Sequence, residues 1–293
     1  METNETFARA LNRAAGILKD SGQAERSAYN EVKSLLSYIT GIEYKDISLK
    51  FRVILNKKAA ARLIKLAQKR AGGYPLQYIT GVQDFYGRDF IVKKGVFIPR
   101  FDTQALIEEL KKCGNKLPAG CVAAECGCGT GIISITLLLE TDKIKKMLAY
   151  DISKRAAVNT RLNARMYGCG DRLKIYEGDF FKKIREQKEK ISIIVSNPPY
   201  IDKKDAVNLP KDVLKEPKKA LYGSLKGLSY YKRLASLARG ILPQNGLLAV
   251  EIGDGMESAV AAVCKKQGFE ILTKGKDSGG HIRALVFELL QKR

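Results

Sequence analysis

In AERSAYNEVKSLLSYITG (residues 24–41) the apolar side chains fall at Ala28, Val32, Leu35, Leu36 and Ile39, and the run stops at Gly41. That spacing predicts an amphipathic helix with a glycine stop. NKKAAARLIKLAQKRAGG (56–73) repeats the pattern through Ala59, Leu63, Leu66 and Ala67. Residues 1–70 therefore predict a small domain of short helices packed on one another. GGYPLQYITG breaks this rhythm, and VQDFYGRDFIVKKGVFI predicts a β-hairpin turning near Tyr86-Gly87.

From about residue 103 helical and strand patterns alternate. Helices are predicted at TQALIEELKKCG, GIISITLLLETD, SKRAAVNTRLNARMYG, GLSYYKRLASLARGIL and SAVAAVCKKQG, and strands at CVAAEC, KKMLAYD, RLKIYEGD, ISIIVSN and GLLAVEIGD. Residues 202–225 read as a long polar loop, and GFEILTKG and HIRALVFELL close the chain as two strands joined without a helix. The fold class is α/β: a parallel sheet covered on both faces, with an antiparallel edge hairpin, preceded by a small helical-bundle domain. The predicted divisions are 1–74 for the helical domain, 75–102 for a linker carrying the hairpin, and 103–293 for the sheet domain.

Composition refines this picture without redirecting it. Hydrophobic residues make up 45% of the 293 positions and charged residues 28%, an ordinary globular balance. No apolar stretch reaches the roughly 18 residues a membrane span requires, and no membrane association is expected. The first residues carry Glu2 and Glu5 and no apolar core, which argues against a secretory or organellar leader and for a cytoplasmic location. The six cysteines (113, 121, 126, 128, 169 and 264) are scattered, as reduced thiols are. Lys and Arg number 52 against 31 acidic residues, a net charge of +21. Such a field attracts acidic partners, and a weak affinity for nucleic acid is expected of it. The basic runs have no aromatic interleaving or nucleic-acid motif. A monomer is expected.

Glu125-Cys126-Gly127-Cys128-Gly129-Thr130-Gly131 stands where the first sheet strand turns into a helix. Its glycines permit positive φ and close approach of a ligand. Asp151 ends the next strand about twenty residues on, where an acid can accept both hydroxyls of a ribose. This spacing alone leaves NAD and S-adenosylmethionine open. The G-x-G-x-G form and a third acid in Gly178-Asp179-Phe180-Phe181 favour S-adenosylmethionine: Asp179 would accept from the adenine amino group and Phe180 would stack on the ring. Together these strand ends describe a class I (Rossmann-like) methyltransferase sheet. With one histidine in the chain, His281, the thiols of Cys121, Cys126 and Cys128 assemble no four-ligand metal set and have no base beside them. No metal is expected, and His281 reads as structural or loop-exposed.

The fourth strand halts on Ser196-Asn197-Pro198-Pro199-Tyr200. A planar nitrogen, in an amide or an adenine amino group, is a poor nucleophile because its lone pair is delocalised. Accepting both its N–H hydrogens orients it and favours charge on it. The side-chain carbonyl of Asn197 and the backbone carbonyl of Pro198 supply two acceptors. Pro199 stiffens the turn, and Tyr200 can lie against the planar group. The motif marks amino-nitrogen methylation and does not separate glutamine from adenine.

Over nearly its whole length the chain resembles the release-factor glutamine methyltransferases, the HemK/PrmC family. The resemblance is carried by YPLQYITGVQDFYGRDF, GVFIPRFDTQALIEEL, ECGCGTGIISI, YDIS, GDFF, SNPPYI and VLKEPKKALYG. It implies methylation of the side-chain amide of the glutamine in the Gly-Gly-Gln loop of peptide chain release factors. S-adenosyl-L-methionine would be the donor, S-adenosyl-L-homocysteine the product, and the helical domain would dock the substrate. Methylation of a ribosomal-protein glutamine or of adenine in nucleic acid is the alternative. The resemblance also implies that Ile98-Pro99-Arg100-Phe101-Asp102-Thr103 closes over the methionine end of the cofactor. Arg100, Phe101 and Thr103 thereby join Glu125, Gly127, Cys128, Gly129, Thr130, Gly131, Asp151, Asp179, Phe180 and Asn197 as cofactor-binding candidates. Asn197, Pro198, Pro199 and Tyr200 are the catalytic ones. The chain departs from the family's usual pattern at Phe101 (proline), Gln104 (glutamate) and Glu125 (commonly aspartate).

Overall fold

The computed structural model describes residues 5–224 and 227–290; the first four residues, Leu225 at the end of the expected polar loop, Lys226 and the last three residues lie outside them. The chain divides into two compact units, Met1–Val82 with Leu209–Lys215, and Gln83–Asn208 with Glu216–Arg293.

The first unit contains helices α1 (Phe7–Asp20), α2 (Glu25–Thr40), α3 (Lys57–Ala71) and α4 (Leu76–Thr80), with a 3-10 segment over Tyr44–Lys50. Local chemistry starts and stops these helices. Thr6 accepts from the Arg9 N–H and caps α1, Asn56 accepts from the Ala59 N–H at 2.8 Å and caps α3, and Gly41 closes α2 in the left-handed region. The apolar stripe of α2 buries Ala28, Val32, Leu35 and Leu36, and Leu63 and Ala67 of α3 join the same core. Arg70, in the last turn of α3, donates to both oxygens of Glu31 (2.7 and 3.0 Å) and to Asp212 (3.1 Å). Its side chain is only 11% exposed. Arg70→Ala leaves two carboxylates facing each other without their cation. We expect it to destabilise this unit by about 2–4 kcal/mol, at the low end of what breaking a buried pair costs, read as a shift in the urea midpoint.

The second unit begins at Gln83, one residue into the hairpin of β1 (Val82–Phe85) and β2 (Arg88–Ile91). Its turn falls at Tyr86 and Gly87 as expected, with φ of 57° and 69°, the two-residue geometry of a tight hairpin. Then follow α5 (Gln104–Lys112), β3 (Cys121–Cys126), α6 (Ile132–Glu140), β4 (Ile144–Asp151), α7 (Lys154–Met166), β5 (Leu173–Glu177), α8 (Phe180–Lys183) and β6 (Ile191–Ser196). The remainder comprises β7 (Ile201–Asp202), β8 (Tyr222–Gly223), α9 (Lys218–Leu221, before β8), α10 (Leu228–Ile241), β9 (Leu247–Glu251), α11 (Glu257–Lys265), β10 (Phe269–Lys276) and β11 (Ile282–Leu289).

The central sheet has the order β10-β11-β9-β6-β3-β4-β5. β11 runs antiparallel to both β10 and β9, and the other neighbours pair in parallel. Side chains alternate between two buried layers. Ala123, Met147, Ala149, Ile193 and Val195 enter one, and Ala124, Leu148, Tyr150, Ile194 and Leu248 the other. That is why these strands read as continuous apolar runs. The expected structureless loop over 202–225 contains more order than its polarity suggested. β7 and β8 pair in parallel, short 3-10 turns cover Lys203–Asn208 and Val213–Lys215, and Leu209–Lys215 belongs with the helical unit.

Candidate functional site at the carboxyl edge of the sheet

The parallel strands β3, β4, β5 and β6 end side by side, bringing the glycine loop, Asp151, Asp179 and Asn197 to one edge. The glycine loop is held from several directions. Gly127 N–H and Cys128 N–H donate to the Tyr150 carbonyl (2.8 and 3.0 Å), and Gly129 N–H donates to Asp151 Oδ2 at 2.9 Å. The three glycines differ in purpose. A Cβ on Gly131 would lie 2.7 Å from Thr160 Cγ2, so this glycine exists for helix packing. Gly127 and Gly129 also have positive φ, yet a Cβ there would meet no protein atom within 4 Å. Their surface is open, as a ligand-facing loop requires.

Asp151 Oδ1 accepts from Ser153 N–H at 2.8 Å, so each carboxylate oxygen holds one backbone donor and retains lone-pair capacity. Burial raises its pKa against the pull of those two N–H groups. Glu125 is buried near the end of β3. It is 1% exposed and accepts from both the N–H (3.0 Å) and the hydroxyl of Ser134 in the first turn of α6. Burial pushes its carboxyl up to about 8. Both bonds from Ser134 fall on Oε2, through which Glu125 fastens strand to helix. The side chains of Cys128 and Thr130 are likewise buried, 2% and 3% exposed, with the thiol accepting from Thr160 at 3.3 Å. Only their backbone can line the edge.

Asp179 caps α8, accepting from Phe181 N–H at 2.9 Å. Phe180 corrects the sequence expectation. Its ring is 3% exposed and lies edge-on to Tyr150 and Phe181, leaving no face on which a base could stack. A four-residue helix placed against the sheet must bury one ring of Phe180-Phe181 and leave the other; Phe181 is the half-buried one, and it carries the Arg233 guanidinium over its face at 3.9 Å.

Beyond β6 the backbone from Asn197 is irregular, and Tyr200 presses its ring against Gly253. Gly227, in the left-handed region (φ +79°), approaches Tyr200 so closely that a Cβ would lie 2.3 Å from its carbonyl oxygen. Thr103 Oγ1 donates to Glu251 Oε2 at 2.6 Å, Asn197 Nδ2 donates to Thr103 Oγ1 at 3.3 Å, and Tyr200 OH donates to Glu251 Oε1 at 3.3 Å. The hydroxyl proton of Thr103 is spent on Glu251, so Thr103 can only accept from Asn197. The amide therefore presents its NH2 to Thr103 and keeps Oδ1 for the open side.

Arg100 pairs with the buried Glu216 and lies over Phe97 at 5.0 Å. Phe101 is 59% exposed and Thr103 fully buried. His281 is exposed, with Nδ1 3.2 Å from Asp254. All six cysteines are buried and unpaired, and burial raises the thiols of Cys126 and Cys128. Among the described residues no group of three or more His, Cys, Asp or Glu could hold a metal.

Three supports escaped the sequence reading. Glu251, at the end of β9, is 1% exposed. Glu216, from the EPKKALYG stretch, accepts from Ile98 N–H at 2.9 Å and from Arg100 and so pins the IPRFDT segment. Asn159 and Asn163, one turn apart on α7, clasp Ile91 of the hairpin (2.7–3.0 Å), and Asn163 also donates to the Thr130 carbonyl at 2.8 Å. The i, i+4 spacing of two asparagines on one helical face was the available signal.

This sheet order, the glycine loop and the antiparallel edge define a Rossmann-like methyltransferase fold. Comparison with known proteins agrees. The hMettl16 catalytic domain, solved in complex with MAT2A 3'UTR hairpin 6, superposes with a TM-score of 0.56 at 13% identity, covering 77% of this chain and 82% of that one. This likeness concerns the fold alone. The profile described as Methyltransferase small domain matches residues 88–226, and that described as PrmC N-terminal domain matches residues 9–81. The chain is 35% identical to the release factor glutamine methyltransferase of Moorella thermoacetica, covering 90% of this chain and 91% of that protein. It is 33% identical to that of Aquifex aeolicus, covering 90% and 92%. The chain belongs to the release factor glutamine methyltransferase family. Among the described residues no helix is long and apolar enough to cross a membrane.

Proposed function

We propose that this protein methylates the side-chain amide nitrogen of the glutamine in the Gly-Gly-Gln loop of peptide chain release factors. The donor is S-adenosyl-L-methionine and the product S-adenosyl-L-homocysteine. The single observation that carries the reading is the Asn197 amide, oriented by Thr103 with Oδ1 free beside the rigid prolines. Oδ1 and the Pro198 carbonyl accept the two hydrogens of the substrate amide, holding its nitrogen in line for displacement. Tyr200, its ring held by Gly253 and its hydroxyl on Glu251, borders the planar group.

The residues present fit the donor. Open backbone at Gly127 and Gly129 suits close approach, Asp151 has lone pairs for a ribose diol, and Asp179 stands at the adenine side. Arg100 would flank the methionine end, whereas Thr103, fully buried, corrects the expectation of direct contact and would act there only through Asn197. When bound, S-adenosylmethionine supplies an electrophilic methyl on sulfur. Asn197 Oδ1 and the Pro198 carbonyl would hold the amide nitrogen toward that methyl and favour positive charge on it, and no dedicated base is needed because an N-protonated amide is strongly acidic. The helical unit is the substrate-docking element in this reading, and the +21 charge favours encounter with acidic surfaces.

The test is transfer of labelled methyl to purified release factor, ribosomal proteins and DNA in parallel. Label on the release factor, lost when its loop glutamine is replaced, is expected. Label on DNA alone or on a ribosomal protein alone overturns the reading.

A further inference from the structure

We propose that Glu251 is a positioning residue: through Thr103 it sets which way the Asn197 amide faces, and its ionisation switches the acceptor geometry on. The inference rests on the reading that Asn197 Oδ1 accepts from the substrate nitrogen. Glu251 touches neither that oxygen nor the open edge. It acts through a chain of two hydrogen bonds, Asn197 Nδ2 to Thr103 Oγ1 (3.3 Å) and Thr103 Oγ1 to Glu251 Oε2 (2.6 Å).

The direction of that chain follows from proton counting. A carboxylate has no proton and can only accept, so Thr103 must donate to it. Thr103 then has only lone pairs for Asn197, which must turn its NH2 inward and Oδ1 outward. Protonating Glu251 frees the chain to run backwards. The carboxylic acid can donate to Thr103, and the Thr103 proton turns on Asn197. The amide then meets it with Oδ1 and faces the substrate with NH2. A donor would stand where the substrate amide needs an acceptor.

The surroundings place this event in an accessible range. Burial pushes the Glu251 carboxyl up to about 7; the hydroxyls of Thr103 and Tyr200 and the charge of Arg283 pull it down, and Asp102 pushes it up. Arg283, on β11, is shared with Asp277 at 2.7 Å and Asp102 at 3.5 Å, so its charge is only partly available to Glu251. Tyr231, on α10, faces the backbone, donating to the Glu251 carbonyl at 2.8 Å. The acid form is the inactive one, so the rate falls as pH drops through about 7.

The experiment uses the full-length protein. The wild-type kcat for methyl transfer to whichever acceptor it labels should rise by up to about tenfold per pH unit below an inflection near pH 7 and level above it, with cofactor affinity flat. In cofactor-free protein, the Asn197 side-chain 15N resonance should titrate with the Glu251 13C carboxyl resonance at one shared midpoint. Glu251→Gln, which cannot ionise, should abolish both inflections. Thr103→Val should lower kcat by about 30–100-fold, as expected for removing one link to a charged group, and Thr103→Ser should restore most of that loss. An Asn197 resonance that does not follow the Glu251 carboxyl, an inflection that survives in Glu251→Gln, or no rescue by serine each overturn the proposal. The resonance titration needs no substrate. A protein that labels DNA and still shows the coupled titration refutes the release-factor reading and upholds Glu251; a release-factor methyltransferase without the titration does the reverse.

Discussion

Asn197→Ala is expected to lower kcat by about 10²–10³-fold, the cost of deleting one preorganised hydrogen-bonding group aimed at developing charge. The dissociation constant for S-adenosylmethionine should stay within about threefold, because the acceptor interacts with the substrate nitrogen and strengthens as that nitrogen gains charge. The alanine removes one hydrogen bond of 3.3 Å to Thr103 from a half-buried position at the end of β6. The melting temperature should therefore move by no more than about 3–5 °C. Thr103 still donates to Glu251, so the variant does not collapse the network behind it. A near-normal rate would refute the acceptor role, and an equal loss in cofactor affinity would move Asn197 from the chemistry to cofactor binding.

Such a prediction was available before the fold was known, because its logic is local: a strand end, an amide and two prolines. The sheet was legible for a similar reason. β-Branched runs bounded by glycine and spaced by helical stripes predicted each strand of the central sheet, and the absence of a helix between the last two predicted their antiparallel pairing. The turn at Tyr86-Gly87 followed from its flanking alternation. What was illegible depends on contacts distant in sequence. Glu251 lies 148 positions from Thr103, and nothing in GLLAVEIGD separates a buried carboxylate from an ordinary polar strand end. Glu216 reaches Arg100 across 116 positions. Phe180 failed differently. Two adjacent aromatics begin a one-turn helix, sequence cannot say which ring the sheet will bury, and the outcome buried Phe180 and left Phe181 half-buried under Arg233. Glu125 shows the same limit for acids: its position beside the loop suggested a ligand contact, and nothing in the sequence showed that Ser134 at the start of α6 would occupy its Oε2.

Asp151→Ala should carry the other large effect, and on binding in place of rate. In the proposed complex this carboxylate accepts two ribose hydroxyls while retaining the Gly129 and Ser153 N–H groups. Hydrogen bonds to a charged partner contribute about 1.5–3 kcal/mol each, so losing two should weaken S-adenosylmethionine binding by about 10²–10⁴-fold. Stability pulls the opposite way. Burial raises the Asp151 pKa, which means the folded protein holds this charge at a cost. A group raised in the folded state favours folding below that pKa and opposes it above. Alanine relieves the cost, offsetting the two backbone donors left unpaired, and the melting temperature of the cofactor-free protein should change little. Asp151→Asn separates the two roles further. Its amide has one acceptor oxygen, so an NH2 must confront either Gly129 or Ser153, and only one face remains for the diol. Calorimetric titration should rank affinity as wild type, then Asn, then Ala. If instead Ala binds within about threefold of wild type, Asp151 merely tethers the glycine loop and the ribose must be held by other groups at this edge.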